Sequence, residues 1–306
     1  MKIGILGMGG IGSFVGAPLT RHFKDDADTE IIFICRGTTK EVIQQNGLTF
    51  TSGDNTYTSF PDLTSDQPDD IGILDILIIA TKSYDLKNAL RQFEECINEQ
   101  TILLPLQNVV NAKELIQESL DKKAIVLEGC IYVASNIEKA GHVKHLGGPG
   151  KIFFGNKEGQ NFQWVEDLCK KAGIDANYSR DIKLILWKKY LFVSPLAAIT
   201  AACDITFGEL RDDKKLMQRF ERMMNEVKNV AALFNVKLSQ KHIQDSLNMI
   251  KNFPYRAKSS LQLDVENQAQ QTEKSYLVDY IIHNGSQNDV DVSVYQTMNT
   301  KLQQRM

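Results

Sequence analysis

The sequence has no strong excess of charge of one sign, few prolines and no long apolar run. Among 306 residues, Lys and Arg number 35 and Asp and Glu 38, a net charge of −3. This argues against a dedicated nucleic-acid binder, which normally carries a basic excess or patch. Only 7 prolines and 42% apolar residues exclude a collagen-like or disordered chain. The most apolar stretches, 71–80 and 190–203, are shorter than the ~18–20 apolar residues that span a bilayer, so we expect no membrane segment.

Cysteine is scarce, and so are arrangements of residues that bind metals. The five cysteines form no C-x-x-C pair, so the simplest interpretation is a set of reduced thiols in a cytoplasmic protein. The five histidines are scattered along the chain, and no Cys/His cluster has the spacing of a zinc site. We therefore expect no metal.

Glycine is concentrated in the first part of the chain, where apolar strands alternate with helical stretches. Residues 1–178 contain 18 of the 20 glycines. Runs rich in Ile, Leu and Val predict buried strands at residues 2–6, 30–35, 73–81, 101–106 and 124–133. Helices are predicted at residues 11–24, 39–46, 86–96 and 110–120, and a hairpin at residues 142–155. Strands that alternate with helices indicate a parallel sheet of βαβ units.

The second part of the chain has a helical pattern. Apolar residues recur at helical spacing between residues 214 and 234, and further helices are predicted at residues 182–202, 240–251 and 275–283. We therefore place one domain at residues 1–180 and a second, helical domain at residues 181–306.

The segment Gly7-Met8-Gly9-Gly10-Ile11-Gly12 has the spacing G-x-G-x-x-G, between a predicted strand and a predicted helix. In this motif the first glycine permits a tight turn, the second lets a pyrophosphate approach the backbone, and the third permits close helix–strand contact. The phosphates then lie against N–H groups at the positive end of the helix. The alternative is a structural glycine-rich turn, but the context favours dinucleotide binding. We predict an α/β, Rossmann-type dinucleotide-binding domain, with all six residues at the cofactor, followed by an all-α C-terminal domain.

The end of the second predicted strand indicates which dinucleotide is bound. NAD sites usually place Asp or Glu there, about 20 residues after the glycines, to bind the ribose 2′-hydroxyl. Here the strand leads into Arg36-Gly37, and a guanidinium favours a 2′-phosphate through charge-assisted contacts. We therefore predict NADPH/NADP as the cofactor, with Arg36 at its 2′-phosphate, although a solvated loop cation is the plainer alternative.

Three more residues could take part in the chemistry. Lys82 and Asn108 follow predicted strands, at the edge of the sheet where ligands gather, although a loop lysine and a turn-forming asparagine would fit equally well. Lys189, in Trp187-Lys188-Lys189, opens an apolar helical segment. Burial of an ammonium is costly, so this lysine either serves as a proton donor or extends its ammonium to solvent.

Together these motifs resemble the ketopantoate reductase (2-dehydropantoate 2-reductase) family over essentially the whole chain. The segments that carry the resemblance are Gly7 to Gly12, Arg36, Thr81-Lys82-Ser83-Tyr84, Leu106-Gln107-Asn108, Gly141-His142-Val143, Gly147-Gly148-Pro149-Gly150, Trp187-Lys188-Lys189, Gly208-Glu209-Leu210, Ser259-Ser260-Leu261 and Thr272-Glu273.

The resemblance implies an NADPH-dependent oxidoreductase that reduces ketopantoate to pantoate in pantothenate and coenzyme A biosynthesis. It implies that Lys189 donates a proton to the carbonyl oxygen, and that Asn108 lies at the nicotinamide and the substrate. It further implies that Ser260 binds the substrate carboxylate, that Lys82 contacts the cofactor, and that Glu273 lies near cofactor and substrate.

The sequence departs from the family where the family's asparagines bind the hydroxyl groups of the substrate. Val193, Ala197 and Phe207 stand at these positions, and Thr200 is the nearest polar replacement on the same helix. These apolar residues favour one alternative to ketopantoate reduction, a reductase of a more apolar 2-oxo acid. A non-catalytic NADPH-binding sensor is a second alternative, but the presence of Lys189 and Glu273 counts against it. Under either reductase hypothesis the partner is a small-molecule 2-oxo acid. A homodimer is compatible with the sequence.

Overall fold

The computed structural model describes residues 1–156 and 160–306. Its strands are β1 (Lys2–Leu6), β2 (Glu30–Ile34), β3 (Leu48–Ser52), β4 (Asn55–Ser59), β5 (Leu63–Ser65), β6 (Ile76–Ile79), β7 (Ile102–Pro105), β8 (Ile125–Val126), β9 (Glu128–Lys139), β10 (His142–Gly155) and β11 (Ala176–Tyr178). Its α-helices are α1 (Gly10–Phe23), α2 (Gly37–Asn46), α3 (Pro68–Ile71), α4 (Leu86–Gln92), α5 (Ala112–Ser119), α6 (Gln163–Lys171), α7 (Ile182–Cys203), α8 (Phe207–Asp212), α9 (Lys214–Leu233), α10 (Gln240–Met249), α11 (Ser260–Glu266), α12 (Tyr280–Gln287) and α13 (Ser293–Gln303).

The chain forms two compact units. The first contains Met1–Gln107 and Asn111–Ile182, and the second contains Asn108–Val110 and Lys183–Met306. The eleven strands of the described residues all lie in the first unit, whereas α8 to α13 and all of α7 except its first residue lie in the second. This confirms the predicted fold class, an α/β domain followed by a helical one.

The first unit is built on a six-stranded parallel sheet in the order β5-β2-β1-β6-β7-β8. Counted along the chain, the strands follow the order 3-2-1-4-5-6 of a doubly wound dinucleotide-binding sheet. The order reverses between β1 and β6, which pair directly with Leu6 beside Ile79. In such sheets ligands bind at the carboxyl ends of the strands where the order reverses, so the fold singles out the loops after β1 and β6.

Both faces of the parallel sheet are buried. Along β6, Ile76 and Ile78 belong to a core that includes residues of α1 and the second sheet, whereas Leu77 and Ile79 belong to a core with α4 and α5. Alternate residues of a strand face opposite sides. The strands are therefore uniformly apolar, as expected for a parallel sheet.

A second, five-stranded sheet was not predicted from the sequence. Its order is β11-β10-β3-β4, and β9 pairs antiparallel with β10. The predicted strand at residues 124–133 is in fact two strands, because the chain leaves the parallel sheet after β8. Gly129 lets the chain pass close to the end of β7, since a Cβ there would lie 2.6 Å from the Pro105 carbonyl oxygen.

The prediction of a hairpin within residues 142–155 is wrong. These residues form one strand, β10, and the chain reverses before it at Gly141, which has a φ of +70°. Gly147 and Gly148 also have positive φ values, but they mark shifts in the pairing with β9. Such glycines produce a β-bulge as readily as a turn.

Helix α7 forms the centre of the second unit. The sequence predicted no apolar stretch long enough to cross a membrane, but the 22 residues of α7 pass that test by length and composition. However, 72% of its most apolar stretch is buried inside the protein. Trp187 is completely enclosed and packs against Tyr190, Phe234 and Tyr280, which is the environment of a core helix.

Candidate active site

The glycine loop between β1 and α1 is held by backbone contacts that exclude side chains. Gly7 has a φ of +94°, and a Cβ there would lie 2.9 Å from the Thr81 amide nitrogen. A Cβ on Gly12 would lie 2.0 Å from the Gly7 carbonyl oxygen, and one on Gly10 equally close to Ser135. The loop is therefore packed tightly between α1, the end of β6 and β9. Met8 is buried and Ile11 partly buried, so their side chains support the loop.

Gly9 is the exception, because a Cβ on it would meet no atom within 4 Å. It is the N-cap of α1, whose first turn carries no acidic side chain and, among the described residues, no side-chain cap. The first N–H groups of a helix attract phosphate when no side chain caps them. The open approach to Gly9 therefore fits a dinucleotide pyrophosphate.

This difference between the glycines predicts two separable effects. The backbone of Gly9, with φ −79° and ψ −164°, also suits alanine, so we expect Gly9→Ala to leave the thermal stability unchanged. We expect it to raise the Kd for NADPH by about tenfold or more, because the added methyl group occupies the space through which the phosphates approach. Gly12→Ala should instead destabilise the fold by ~1–3 kcal/mol through overpacking. Thermal unfolding and fluorescence titration of NADPH measure both. Unchanged NADPH affinity of Gly9→Ala would place the phosphates elsewhere.

Arg36 lies directly beyond β2, as the N-cap of α2, and its side chain is exposed. The adjacent Cys35 is half-buried, and burial, aided by the charge of Asp66, raises the pKa of its thiol to about 12. Cys35 is therefore a protonated thiol at neutral pH. Arg36 provides a cation at this end of the sheet.

Lys82 and Gln107 follow β6 and β7, whose ends are paired in register. Lys82 is partly buried and precedes a short 3₁₀ turn, Ser83–Asp85. Gln107 is almost fully buried, and its Nε2 donates to Thr81 Oγ1 at 3.4 Å. The sequence-predicted Lys82 thus follows the strand next to β1, where the strand order reverses.

Lys189 and Asn108 are two predicted residues that the structure brings into contact. Lys189 Nζ donates a hydrogen bond to Asn108 Oδ1 at 2.6 Å. Lys189 is only 9% exposed, whereas Lys188 is exposed. A buried ammonium is costly without hydrogen-bond acceptors, and the Asn108 amide supplies one. Helix α7 therefore directs the Lys188 side chain to solvent and holds the Lys189 ammonium against the Asn108 side chain.

The predicted substrate residues near α11 have unequal positions. Ser260 is exposed in the first turn of α11, and Ser259 is the N-cap, accepting a hydrogen bond from the Gln262 amide. Thr200 is completely buried, and its hydroxyl lies 2.8 Å from both the Leu196 carbonyl oxygen and Ser259 Oγ. Thr200 thus fixes the start of α11 from within the protein, whereas Ser260 can be reached from solvent.

Apolar side chains follow Lys189 along α7. Val193, one turn further on, is partly exposed, and Ala197 is buried. Phe207, at the start of α8, is buried against Phe253, with ring centroids 5.4 Å apart. None of these three side chains can hydrogen-bond a hydroxyl group.

Glu273 is 5% exposed, within the second unit. Two residues later the chain forms a π-helical turn, Ser275–Asp279. Neither this π-helical turn, which falls within the helix predicted at residues 275–283, nor the hydroxyl groups that bind its carbonyl groups were predicted from the sequence. Among the described residues, no group of three or more His, Cys, Asp or Glu side chains is arranged to hold a metal ion.

Two protein-family models match the chain. The model for ketopantoate reductase PanE/ApbA covers residues 3–159, and the model for its C-terminal domain covers residues 181–305. The chain belongs to the ketopantoate reductase family. Membership of this family confirms the predictions of an oxidoreductase and of NADPH as the cofactor.

Two relatives of this ketopantoate reductase family member are distant in sequence but match it along nearly their full length. An uncharacterized oxidoreductase of Bacillus subtilis, YkpB, is 24% identical over 99% of this chain and 98% of its own. A 2-dehydropantoate 2-reductase of Archaeoglobus fulgidus is 24% identical over 97% of this chain and 95% of its own.

Solved structures share the fold. A PanE/ApbA family ketopantoate reductase from Ralstonia eutropha has a TM-score of 0.89 at 22% identity, covering 100% of this chain and 98% of its own. A D-mandelate dehydrogenase, solved with NADH and anilino(oxo)acetate, has a TM-score of 0.85 at 19% identity with the same coverage. At these identities the likeness shows the fold alone.

Proposed function

We propose that this protein reduces a 2-oxo acid to the 2-hydroxy acid with NADPH, and that its substrate is ketopantoate, reduced to pantoate in the cytoplasm for pantothenate and coenzyme A synthesis. The name of the Archaeoglobus relative supports the substrate. The observation that carries the proposed chemistry is the 2.6 Å hydrogen bond from buried Lys189 to Asn108, because it fixes a cation at a defined position.

In the proposed reaction Lys189 acts on the carbonyl oxygen of the substrate. NADPH, when bound, would provide the hydride for the carbonyl carbon, so that negative charge would develop on the carbonyl oxygen. The Lys189 ammonium stabilises that charge and transfers one proton to the oxygen. One hydride and one proton are thus added across the C=O bond, giving a secondary alcohol. Asn108 orients the ammonium by accepting one of its N–H bonds.

The other predicted residues would bind the two ligands. The Gly9 amide region would hold the pyrophosphate, Arg36 the 2′-phosphate and Lys82 the nearby cofactor oxygens. Ser260, which is exposed, would donate a hydrogen bond to the substrate carboxylate. Glu273 would lie near cofactor and substrate, as the family resemblance implies.

A second candidate substrate, a 2-oxo acid with an apolar side chain, is favoured by the α7 residues beyond Lys189. Ketopantoate carries a hydroxyl group, and a buried hydroxyl without a partner costs about 1–3 kcal/mol. Val193 and Ala197, at helical spacing from Lys189, offer no partner. The same two residues would pack favourably against methyl groups.

A matched pair of substrates separates the two candidates. Ketopantoate and 3,3-dimethyl-2-oxobutanoate have the same skeleton and differ by one hydroxyl group. A site that hydrogen-bonds this hydroxyl rejects the analogue lacking it by roughly 10⁴-fold, whereas an apolar pocket tolerates an added hydroxyl within about 10²-fold. We expect kcat/KM from NADPH oxidation to favour ketopantoate strongly if it is the substrate. A preference for the dimethyl analogue identifies the apolar candidate. Saturable NADPH binding without oxidation of either acid would contradict the proposal and indicate a sensor.

A further inference from the structure

Three hydroxyl groups of the second unit converge on the π-helical turn that follows Glu273. Tyr190 Oη donates to the Tyr276 carbonyl oxygen at 2.6 Å, and Ser194 Oγ donates to the Leu277 carbonyl oxygen at 2.6 Å. Tyr295 Oη lies 2.6 Å from Ser194 Oγ. All three side chains are almost fully buried. We call Tyr190, Ser194 and Tyr295 the hydroxyl clamp, because their hydroxyl groups hold this turn.

The direction of each bond in the hydroxyl clamp follows from proton counting. A carbonyl oxygen can only accept, so Ser194 uses its single proton on Leu277, and Tyr295 must donate to Ser194. Burial raises the pKa of the Tyr190 and Tyr295 hydroxyls above the usual value of a tyrosine. Both therefore stay protonated across the neutral range, and the clamp holds the chain without exchanging protons with a substrate.

The carbonyl groups that the clamp binds belong to residues that also hold Glu273. The amides of Tyr276 and Leu277 both donate to the Glu273 carbonyl oxygen, at 3.0 Å. Tyr190, which binds Tyr276, is the residue next to Lys189 on α7. The backbone of Glu273 is therefore tied, through two residues, to the turn of α7 that carries Lys189.

The local geometry explains why hydroxyl donors are needed there. A π-helical turn breaks the regular pattern of backbone hydrogen bonds, and such turns are frequent at functional sites. Leu277 is 2% exposed, so water cannot satisfy its carbonyl group. A buried carbonyl without a donor is costly, and the Leu277 carbonyl accepts a short hydrogen bond from Ser194 and a longer one, at 3.4 Å, from Tyr190. Both hydroxyl groups therefore stabilise this backbone conformation.

We propose that Tyr190 and Ser194 are positioning residues, which set the place of Glu273 relative to Lys189 through the π-helical turn. This inference rests on the proposed function, since it assigns Glu273 to the reaction. It implies that loss of either hydroxyl lowers activity only by displacing Glu273.

The test compares each clamp variant in two backgrounds. We expect Tyr190→Phe and Ser194→Ala each to lower kcat/KM for the accepted 2-oxo acid by roughly tenfold. In the Glu273→Gln variant, whose activity is already impaired, the same substitutions should lower kcat/KM less than twofold. The reason is that the carboxylate whose position they disturb is no longer present. A purely structural role predicts the same loss in both backgrounds, and that result would overturn the proposal. The control is Ser59→Ala, which removes a buried hydroxyl bond to the Ala17 carbonyl in the first unit and should leave kcat/KM unchanged.

Hydrogen exchange tests the clamp without any reaction. Amide exchange at Tyr276 and Leu277 should accelerate by about tenfold in Tyr190→Phe and Ser194→Ala, with no change in α9. Unchanged amide exchange in both variants would show that the hydroxyl groups do not hold this turn, independently of the catalytic activity of the variants. If exchange accelerates but Glu273→Gln has wild-type kcat/KM, the assignment of Glu273 in the proposed function fails, and the positioning role fails with it.

Discussion

Replacing Lys189 with Ala should lower kcat by roughly 10²–10³-fold, the usual effect of removing a group that stabilises developing negative charge, while NADPH affinity survives. The reason is that Lys189 supplies both the charge and the proton at the carbonyl oxygen, whereas the proposed cofactor contacts lie on the loops after β1, β2 and β6. Steady-state NADPH oxidation and fluorescence titration of NADPH measure the two properties separately.

Two further variants make this result specific. Lys188→Ala removes the exposed neighbour and should leave kcat within about twofold, as a surface substitution normally does. Lys189→Met keeps much of the buried volume without the charge, so it should lose as much activity as Lys189→Ala but unfold closer to the wild type. Near-normal turnover in Lys189→Met would exclude proton donation by this residue.

The parallel sheet was predictable because its signals are local. Residues 2–6 form a short apolar run followed at once by a glycine motif, and both β1 and the start of α1 lie where the pattern places them. The second sheet was missed because its strands carry weaker signals. β3 and β4 are rich in Thr and Ser and partly exposed, and β3 pairs with β10 about ninety residues away.

The candidate site was predictable only in part, for a similar reason. The position of Lys189 in its motif singled it out. However, α7 is apolar on every side, so its pattern could not show whether Lys188 or Lys189 is the buried lysine. The Lys189–Asn108 contact joins residues 81 positions apart, and the bond from Ser194 to Leu277 spans 83. The π-helical turn has no sequence signature here, because it depends on hydroxyl donors from α7 and α13.

Replacing Arg36 with Ala should weaken NADPH binding by roughly 10–100-fold, since hydrogen bonds to a charged group contribute about 1.5–3 kcal/mol, and should change NADH binding less than threefold. Arg36 is exposed at the start of α2, so its guanidinium can reach a 2′-phosphate, which NADH lacks. Fluorescence titrations with both cofactors give the ratio. Equal losses for NADPH and NADH would show that Arg36 does not recognise the phosphate.

Lys40, one turn further along α2, is the matched control for Arg36. Its ammonium pairs with Asp66 at 2.9 Å, and this hydrogen bond raises the pKa of Lys40. Because that cation already has a carboxylate partner, Lys40→Ala should leave the preference for NADPH over NADH intact. Salt provides a second criterion, since contacts with phosphate weaken as ionic strength rises. The NADPH preference of the wild type should therefore shrink with added salt, whereas that of Arg36→Ala should already be small at low salt and change little.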